Sequence, residues 1–225
     1  MSTAVSDPLS NGTSPRTAAI IGAAALVVVA VVAATVNFGV IEALRVPGDA
    51  TTTAANLAQS AGRVRLAAVG LLVVALLEFA VSWGIYLALR AANPALALLA
   101  TWLRVGYAIV FTLVIGSLFA ALRAAPTDPA QAAFLLESFD TGWTAGFLLF
   151  GTHLLLLGFL VWRRAIFARI VAVLVVISGV GYLIDTFGAL LSPSYGIEIA
   201  LFTFVGELVF IVWLFVAGGR DYDRN

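Results

Sequence analysis

The sequence predicts an all-α, polytopic membrane helix bundle of six transmembrane helices, and three observations lead to this fold class. Hydrophobic residues make up 62% of the 225 residues, charged residues make up 11%, and the mean hydropathy is +1.08. A soluble domain usually carries about 25% charged residues, so this chain lacks the polar residues for a water-facing surface. Six apolar runs also reach the ~20 residues that cross a hydrocarbon core ~30 Å thick. The runs are 17–41, 64–89, 95–122, 141–162, 166–191 and 197–217.

The first run is expected to remain in the protein as a helix. It is longer than the apolar region of a signal peptide, which has about 7–15 residues, and its only preceding basic residue is Arg16. Residues 1–15 are rich in Ser, Thr, Gly and Pro, and we expect a disordered cytoplasmic tail there. The six-helix transmembrane domain is therefore placed at 16–218, with a cytoplasmic C-terminal tail at 219–225.

The distribution of arginine predicts the orientation. All 12 basic residues are arginine, and short loops rich in basic residues remain in the cytoplasm. With the N-terminus inside, the cytoplasmic set is larger than the outer set, and both termini are predicted to be inside. The cytoplasmic set is Arg16, Arg90, Arg163, Arg164, Arg169, Arg220 and Arg224, and the outer set is Arg45, Arg63, Arg65 and Arg123.

The connections are expected to differ between the two sides of the membrane. The inner turn at 91–94 is short, whereas the outer loops at 42–63 and 123–140 are long, so a ligand entrance is expected on the outer side. Within the second outer loop, Asp128 precedes Pro129, which is typical of a helix N-terminus. We expect a short amphipathic helix at 131–139, lying at the membrane interface.

Ionisable residues inside the predicted spans are the candidate functional residues. Glu78, Arg104, His153 and Glu207 lie about 9–11 residues from the cytoplasmic ends of four different helices, which places them roughly 14–17 Å deep. That depth is near the midplane of the bilayer, where charged side chains are costly and need partners. Asp185 lies closer to the outer surface.

Two interpretations of these residues remain open. Glu78 and Arg104 are on neighbouring helices joined by a tight turn, so a structural salt bridge accounts for both. His153 is then expected to pair with Glu207, either as a hydrogen-bonded core histidine or as part of a functional site. Tyr182 shares a helix face with Asp185 at a spacing of three residues.

Several classes of protein are excluded. There is no cysteine, so disulfides and thiol chemistry are absent, and without lysine a Schiff base cannot form. The zero net charge gives no indication of nucleic-acid binding. One histidine cannot supply two axial haem ligands, and neither HExxH nor GxSxG occurs. No ligand spacing supports a metal site, and no cofactor is identified.

Several segments resemble an uncharacterised bacterial membrane family, catalogued as domain-of-unknown-function family four-three-eight-six. The segments are Gly142-Trp143, Phe150-Gly151-Thr152-His153-Leu154-Leu155-Leu156-Leu157-Gly158, Ala168-Arg169-Ile170, Gly181-Tyr182-Leu183-Ile184-Asp185-Thr186-Phe187-Gly188 and Gly206-Glu207-Leu208 with Trp213. The resemblance implies a six-helix, multi-pass protein of the bacterial inner membrane with no assigned biochemical role. Its motif residues here are Arg104, Trp143, His153, Asp185 and Glu207.

The sequence therefore favours a protein that binds or transports a small molecule at a polar cluster near the midplane. The predicted ligand-binding residues are Glu78, Arg104, Trp143, His153, Tyr182, Asp185 and Glu207, with Asp185 on the outward access path. One alternative is an intramembrane enzyme acting on a lipid, with His153 and Glu207 as acid and base. Another is a structural subunit in which the charges only hold the helices together. Whether the protein is an enzyme stays open, and its expected partners are the lipid bilayer and a small-molecule ligand.

Overall fold

A computed structural model describes residues 12–163, 166–192 and 194–220, and these residues form a bundle of α-helices. The predictions for Arg164, Arg224 and the ends of the two tails, at 1–11 and 221–225, lie outside the described residues. The helices are α1 Pro15–Val36, α2 Glu42–Leu44, α3 Ala50–Gln59, α4 Ala61–Leu89, α5 Pro94–Ala124, α6 Pro129–Trp162, α7 Ile166–Leu191, α8 Ile199–Thr203 and α9 Val205–Val216. A π-helical turn, Asn37–Ile41, joins α1 to α2.

Six helical segments have the length and apolar composition of membrane spans, which confirms the predicted fold class. The first combines α1 with its π-helical extension, the last combines α8 with α9, and α4, α5, α6 and α7 each supply one. The described residues contain no β-strand. The orientation of the two termini stays a prediction.

Three spans begin with the same local arrangement. Ser14, Asn93 and Asp128 each precede a proline, and each side-chain oxygen accepts a hydrogen bond from a backbone N–H in the first helical turn. Such a cap satisfies a donor that the helix leaves unpaired, and proline suits the first helical position because it has no N–H there. These caps explain why the helices start at these residues.

The prediction of a separate interfacial helix at 131–139 is wrong. Asp128 is the expected cap, with Oδ1 3.0 Å from the Gln131 nitrogen, but α6 continues without a break to Trp162. The first turns of α6 pack against α3 and bury Leu136 and Phe139. Because this burial continues the apolar face of the span, the helix has no reason to end at the interface.

The first outer loop, at 42–63, contains a helix that the sequence analysis missed. Helix α3 is capped by Asp49, whose carboxylate accepts hydrogen bonds from the Thr52 nitrogen at 2.8 Å and from the Thr52 hydroxyl at 2.6 Å. The hydroxyl bond, and then the nitrogen bond, lower the pKa of Asp49. Helix α3 packs against the first turns of α6.

The spans form a closed ring in chain order. Helix α1 packs against α4, then α4 against α5, α5 against α6, α6 against α7, and α7 against α8 and α9, while α9 returns to α1. Glycine allows close approach at two of these contacts. A Cβ at Gly84 would lie 2.6 Å from the Ala18 carbonyl oxygen, and one at Gly151 would lie 2.8 Å from the Gly179 carbonyl oxygen.

The ring has two faces, which we name by the chain. The N-terminal face holds the start of α1, the α4–α5 turn and the end of α9, and the distal face holds α3, the α5–α6 turn and the α7–α8 connection. Arg16 closes the ring on the N-terminal face. Its guanidinium donates hydrogen bonds to the carbonyl oxygens of Leu214 at 3.2 Å, of Gly218 at 3.1 Å, and of Phe215. These carbonyls lie in the last turn of α9 and just beyond it, where a helix leaves backbone acceptors incompletely paired, although the Leu214 oxygen also accepts from the Gly218 nitrogen at 3.2 Å.

Replacing Arg16 with Ala is expected to destabilise the protein. A hydrogen bond to a charged group contributes about 1.5–3 kcal/mol, and the change also removes a cation from the negative end of the α9 dipole. We expect a lower unfolding temperature in dodecyl maltoside micelles and faster hydrogen exchange in 205–216. The matched control is Arg65→Ala, since Arg65 is exposed and has no hydrogen bond within the described residues. Equal effects of the two changes would contradict a role for Arg16 in closing the ring.

Candidate functional site

A cavity of about 560 Å³ lies inside the ring and extends toward the distal face. Its lining comes from all six spans, and α4 contributes Glu78 alone. Of the predicted binding residues, six line this cavity. They are Glu78, Arg104, Trp143, Tyr182, Asp185 and Glu207. The structure thus brings together residues from five of the spans.

The predicted salt bridge between Glu78 and Arg104 is confirmed. Arg104 Nε donates to Glu78 Oε2 at 2.5 Å, and both side chains are only 3% exposed. The guanidinium carbon also lies 5.2 Å from the centre of the Phe150 ring, in a cation–π arrangement. The pair therefore neutralises both charges at the closed end of the cavity.

His153 is bound to Arg104 rather than to Glu207, so the predicted pair of His153 and Glu207 is wrong. Nδ1 lies 2.7 Å from the carbonyl oxygen of Ala100, an acceptor, so Nδ1 carries the proton. Nε2 then accepts from Arg104 Nη1 at 3.3 Å. His153 is fully buried and is absent from the cavity lining. His153 therefore binds Arg104 on the side that faces away from the cavity.

Glu207 has a different partner, the hydroxyl of Tyr182, which donates to Oε1 at 2.8 Å. Within the described residues no arginine lies within 4 Å of this carboxylate, in contrast to Glu78. Glu207 is half-buried and faces the cavity. Glu207 is therefore a carboxylate within a span whose hydrogen-bond donor in the described structure is a single neutral hydroxyl.

A break in the sixth span places Glu207 where it is. Helix α8 ends at Thr203 and α9 begins at Val205, with Phe204 between them. Ser178 of α7 stabilises the break, because its hydroxyl lies 2.5 Å from the Thr203 carbonyl oxygen and 3.1 Å from the Leu174 carbonyl oxygen. Gly206 allows this contact, since a Cβ there would meet the Leu174 oxygen.

Asp185 caps α8, and this occupies both of its oxygens. Oδ1 accepts from the Tyr195 hydroxyl at 2.6 Å and from the Ile199 nitrogen at 2.9 Å, and Oδ2 accepts from the Ala200 nitrogen at 2.7 Å. The hydrogen bond to Asp185, with burial as a smaller cause, raises the pKa of Tyr195 to about 12. Asp185 therefore lies at the distal side of the cavity but mainly orients the helix beside it.

Five aromatic residues form one side of the cavity, and we call this set the aromatic wall: Tyr107, Trp143, Phe147, Phe150 and Tyr182. Neighbouring rings are 4.7 to 6.3 Å apart between centres. Trp143 Nε1 donates to the Tyr107 hydroxyl at 2.9 Å. Sequence reasoning selected Trp143 and Tyr182 but missed the other three. Three members recur at a helical spacing along α6, which is the signal that would have found Phe147 and Phe150.

The distal side of the cavity contains charges that the sequence analysis assigned only to loops. Arg45 forms an ion pair with Asp140, and Arg45 also lies 3.9 Å from Glu42. Glu198 completes this charged entrance. No sequence signal pairs Arg45 with Asp140, because the contact joins the end of the first span to the start of the fourth.

The fold and the cavity define a multi-pass membrane protein with a polar site inside its helix ring. Residues 20–218 match the family described as "Domain of unknown function (DUF4386)". The chain belongs to this family, which confirms the resemblance drawn from its motifs.

A curated relative adds no biochemical role. An uncharacterised protein of Archaeoglobus fulgidus is 36% identical over 85 residues, which are 38% of this chain and 51% of that protein. The chain thus spans about half the length of the curated relative that it matches. No solved structure matches the chain.

Proposed function

We propose that this protein binds a small, largely apolar molecule in the cavity inside its helix ring. One observation carries the proposal: the cavity ends at a buried, pre-oriented group of hydrogen-bond donors rather than at apolar side chains. Arg104 is held from two sides by Glu78 and His153. Within the described residues nothing accepts a hydrogen bond from its Nη2 atom, and Arg104 lines the cavity.

The Tyr107 hydroxyl supports the same conclusion. It accepts a hydrogen bond from Trp143, but its own proton has no acceptor among the residues that the structure describes. Ligand sites combine an apolar lining with a few well-oriented polar groups, and this arrangement matches that description. A purely structural ion pair would need no such cavity beside it.

The second candidate function, an enzyme with His153 and Glu207 as acid and base, has little support in this geometry. Both nitrogens of His153 are occupied, and the ring does not reach the cavity.

Transport is supported by the break in the sixth span, since broken helices beside a midplane site recur in transporters. The arginine bias leads us to propose that the distal face is extracellular. The placement in a bacterial inner membrane rests on the family resemblance and stays a prediction.

A bulky side chain inside the cavity is expected to displace the bound molecule. Ala33 of α1 is half-buried and lines the cavity, so Ala33→Phe fills part of it. Native mass spectrometry of the purified protein is expected to show a stoichiometric adduct in the wild type. In Ala33→Phe the affinity should fall by about tenfold, as for a loss of about 1.4 kcal/mol in binding free energy, and the fraction of protein that carries the adduct should fall with it.

The matched control is Ala24→Phe, which adds the same group to an exposed position of α1 that is outside the cavity lining. It is expected to retain the adduct. A wild-type protein without any co-purified small molecule, combined with no effect of Ala33→Phe on the binding of added probes, would contradict the proposed function.

A further inference from the structure

The first and last spans pack together on the N-terminal side of the ring. Helix α1 packs against α9, whereas α8 packs against α7 and has no comparable packing with α1 among the described residues, which leaves a gap between the distal half of α1 and α8. Arg16 holds α1 and α9 together on the N-terminal face only. Phe38 and Leu201, on opposite sides of this gap, both line the cavity and are 55% and 44% exposed. This gap is the candidate route between the lipid and the distal half of the cavity.

The charges around the cavity favour a cation. Six carboxylates and two guanidiniums line it. Glu78 pairs with Arg104, Asp140 and Glu42 both lie beside Arg45, Asp185 accepts hydrogen bonds from two N–H groups of α8, and Glu198 is exposed. Glu207 is left with a neutral hydroxyl as its hydrogen-bond donor. A carboxylate at this depth needs a counter-charge, and a bound cation would supply it.

The aromatic wall favours the same type of ligand. Aromatic faces attract organic cations such as quaternary ammonium groups, and they also bury apolar area. Tyr182 belongs both to the wall and to the hydrogen bond with Glu207, so the wall borders the uncompensated carboxylate directly. An apolar molecule with a delocalised or quaternary positive charge matches all of these contacts.

Resting on the proposed function, we propose that the ligand is a lipophilic organic cation that enters from the lipid between α1 and α8 and places its charge beside Glu207. The rival occupant is a neutral molecule whose oxygen accepts hydrogen bonds from Arg104 and Tyr107. The cation depends on Glu207, whereas the neutral molecule depends on Arg104 and Tyr107.

Three probes of similar size, one positive, one neutral and one negative, distinguish a cationic ligand from a neutral one. They are tetraphenylphosphonium, neutral triphenylphosphine oxide and tetraphenylborate, and their binding is measured by equilibrium dialysis of the full chain in dodecyl maltoside. We expect tetraphenylphosphonium to bind at least about tenfold more tightly than the other two, as for one compensated charge in a desolvated site. Stronger binding of the oxide or of the borate would overturn the proposal.

Variants of Glu207 test where the charge binds. Glu207→Gln should weaken tetraphenylphosphonium binding by about tenfold and leave triphenylphosphine oxide binding unchanged. Glu137→Gln is the matched control, because Glu137 is exposed and lies outside the cavity lining. The comparison of the three probes needs only the wild-type protein, so the preference for a cation is tested even if Glu207→Gln does not fold. Unchanged tetraphenylphosphonium binding in Glu207→Gln overturns this inference alone, whereas failure of all three probes to bind counts against the proposed function as well.

The lateral route has its own measurement. The chain has no cysteine, so Leu201→Cys introduces a unique thiol at the opening, and Leu113→Cys introduces one at a 72% exposed position outside the cavity lining. A membrane-soluble methanethiosulfonate is expected to label both. Tetraphenylphosphonium should slow labelling at 201 and not at 113. Equal labelling with and without the cation at 201 would exclude this route.

Discussion

Replacing Glu78 with Gln is expected to lower the free energy of unfolding by about 3–5 kcal/mol, because it leaves the Arg104 guanidinium buried without a counter-charge. Replacing Arg104 with Gln should have a similar effect, since it leaves the Glu78 carboxylate in the same position. Both side chains are 3% exposed, so water cannot replace the lost partner. Unfolding by sodium dodecyl sulfate in mixed micelles measures the difference.

The double variant Glu78→Gln with Arg104→Gln separates stability from binding. Neutral groups that replace both members of a buried ion pair often cost little, so its stability should return to within about 1–2 kcal/mol of the wild type. If the bound molecule accepts hydrogen bonds from Arg104, the double variant should lose it, because the donor at the closed end of the cavity is gone, whereas a lipophilic cation held beside Glu207 should remain bound. A stable double variant with full ligand content would show that the pair only holds α4 and α5 together.

Replacing Asp185 with Ala is the second large effect that we expect. Each hydrogen bond to a charged group contributes about 1.5–3 kcal/mol, and the side chain accepts three of them from Tyr195 and the start of α8. The loss should therefore reach at least about 3 kcal/mol. Asp185→Asn is expected to lose less, because its amide oxygen still accepts, while its NH₂ group opposes a backbone donor.

Hydrogen exchange in 199–203 measures this change where it occurs. Release of α8 should raise exchange there far more than in α4, and unchanged exchange at 199–203 in Asp185→Ala would contradict the capping role.

The hydrogen bond from Tyr195 to Asp185 adds a pH dependence of stability. Because the pKa of Tyr195 rises from its usual 10.0 to about 12 in the folded protein, this bond contributes fully below pH 10. Its contribution is lost as the pH rises through 12, and Tyr195→Phe should remove that dependence.

Properties that depend on neighbouring residues in the chain were predictable from the sequence. Apolar run length determined the six spans, and Asp128 followed by proline determined the start of α6. The pair of Glu78 and Arg104 was also predictable, because a short turn places both residues at related depths on adjacent helices. In each case the physical cause acts within one helix or one hairpin.

Only the tertiary structure decided the partners of residues that are distant along the chain. Depth placed His153 and Glu207 at one level of the membrane, but depth says nothing of the direction in which a helix turns its side chains. The rotation of α6 directs His153 towards Ala100 and Arg104, and the break after α8 directs Glu207 towards Tyr182.

The sequence by itself therefore determined a six-span membrane protein and predicted the depth of its ionisable residues. The ring closure and the cavity were decided by packing between spans. The physical reason is that hydrophobic length sets how far a helix crosses the bilayer, while its rotation and neighbours depend on close contacts and hydrogen bonds with other helices. The carboxylate of Glu207, which has no arginine partner in the described structure, became visible only through those contacts.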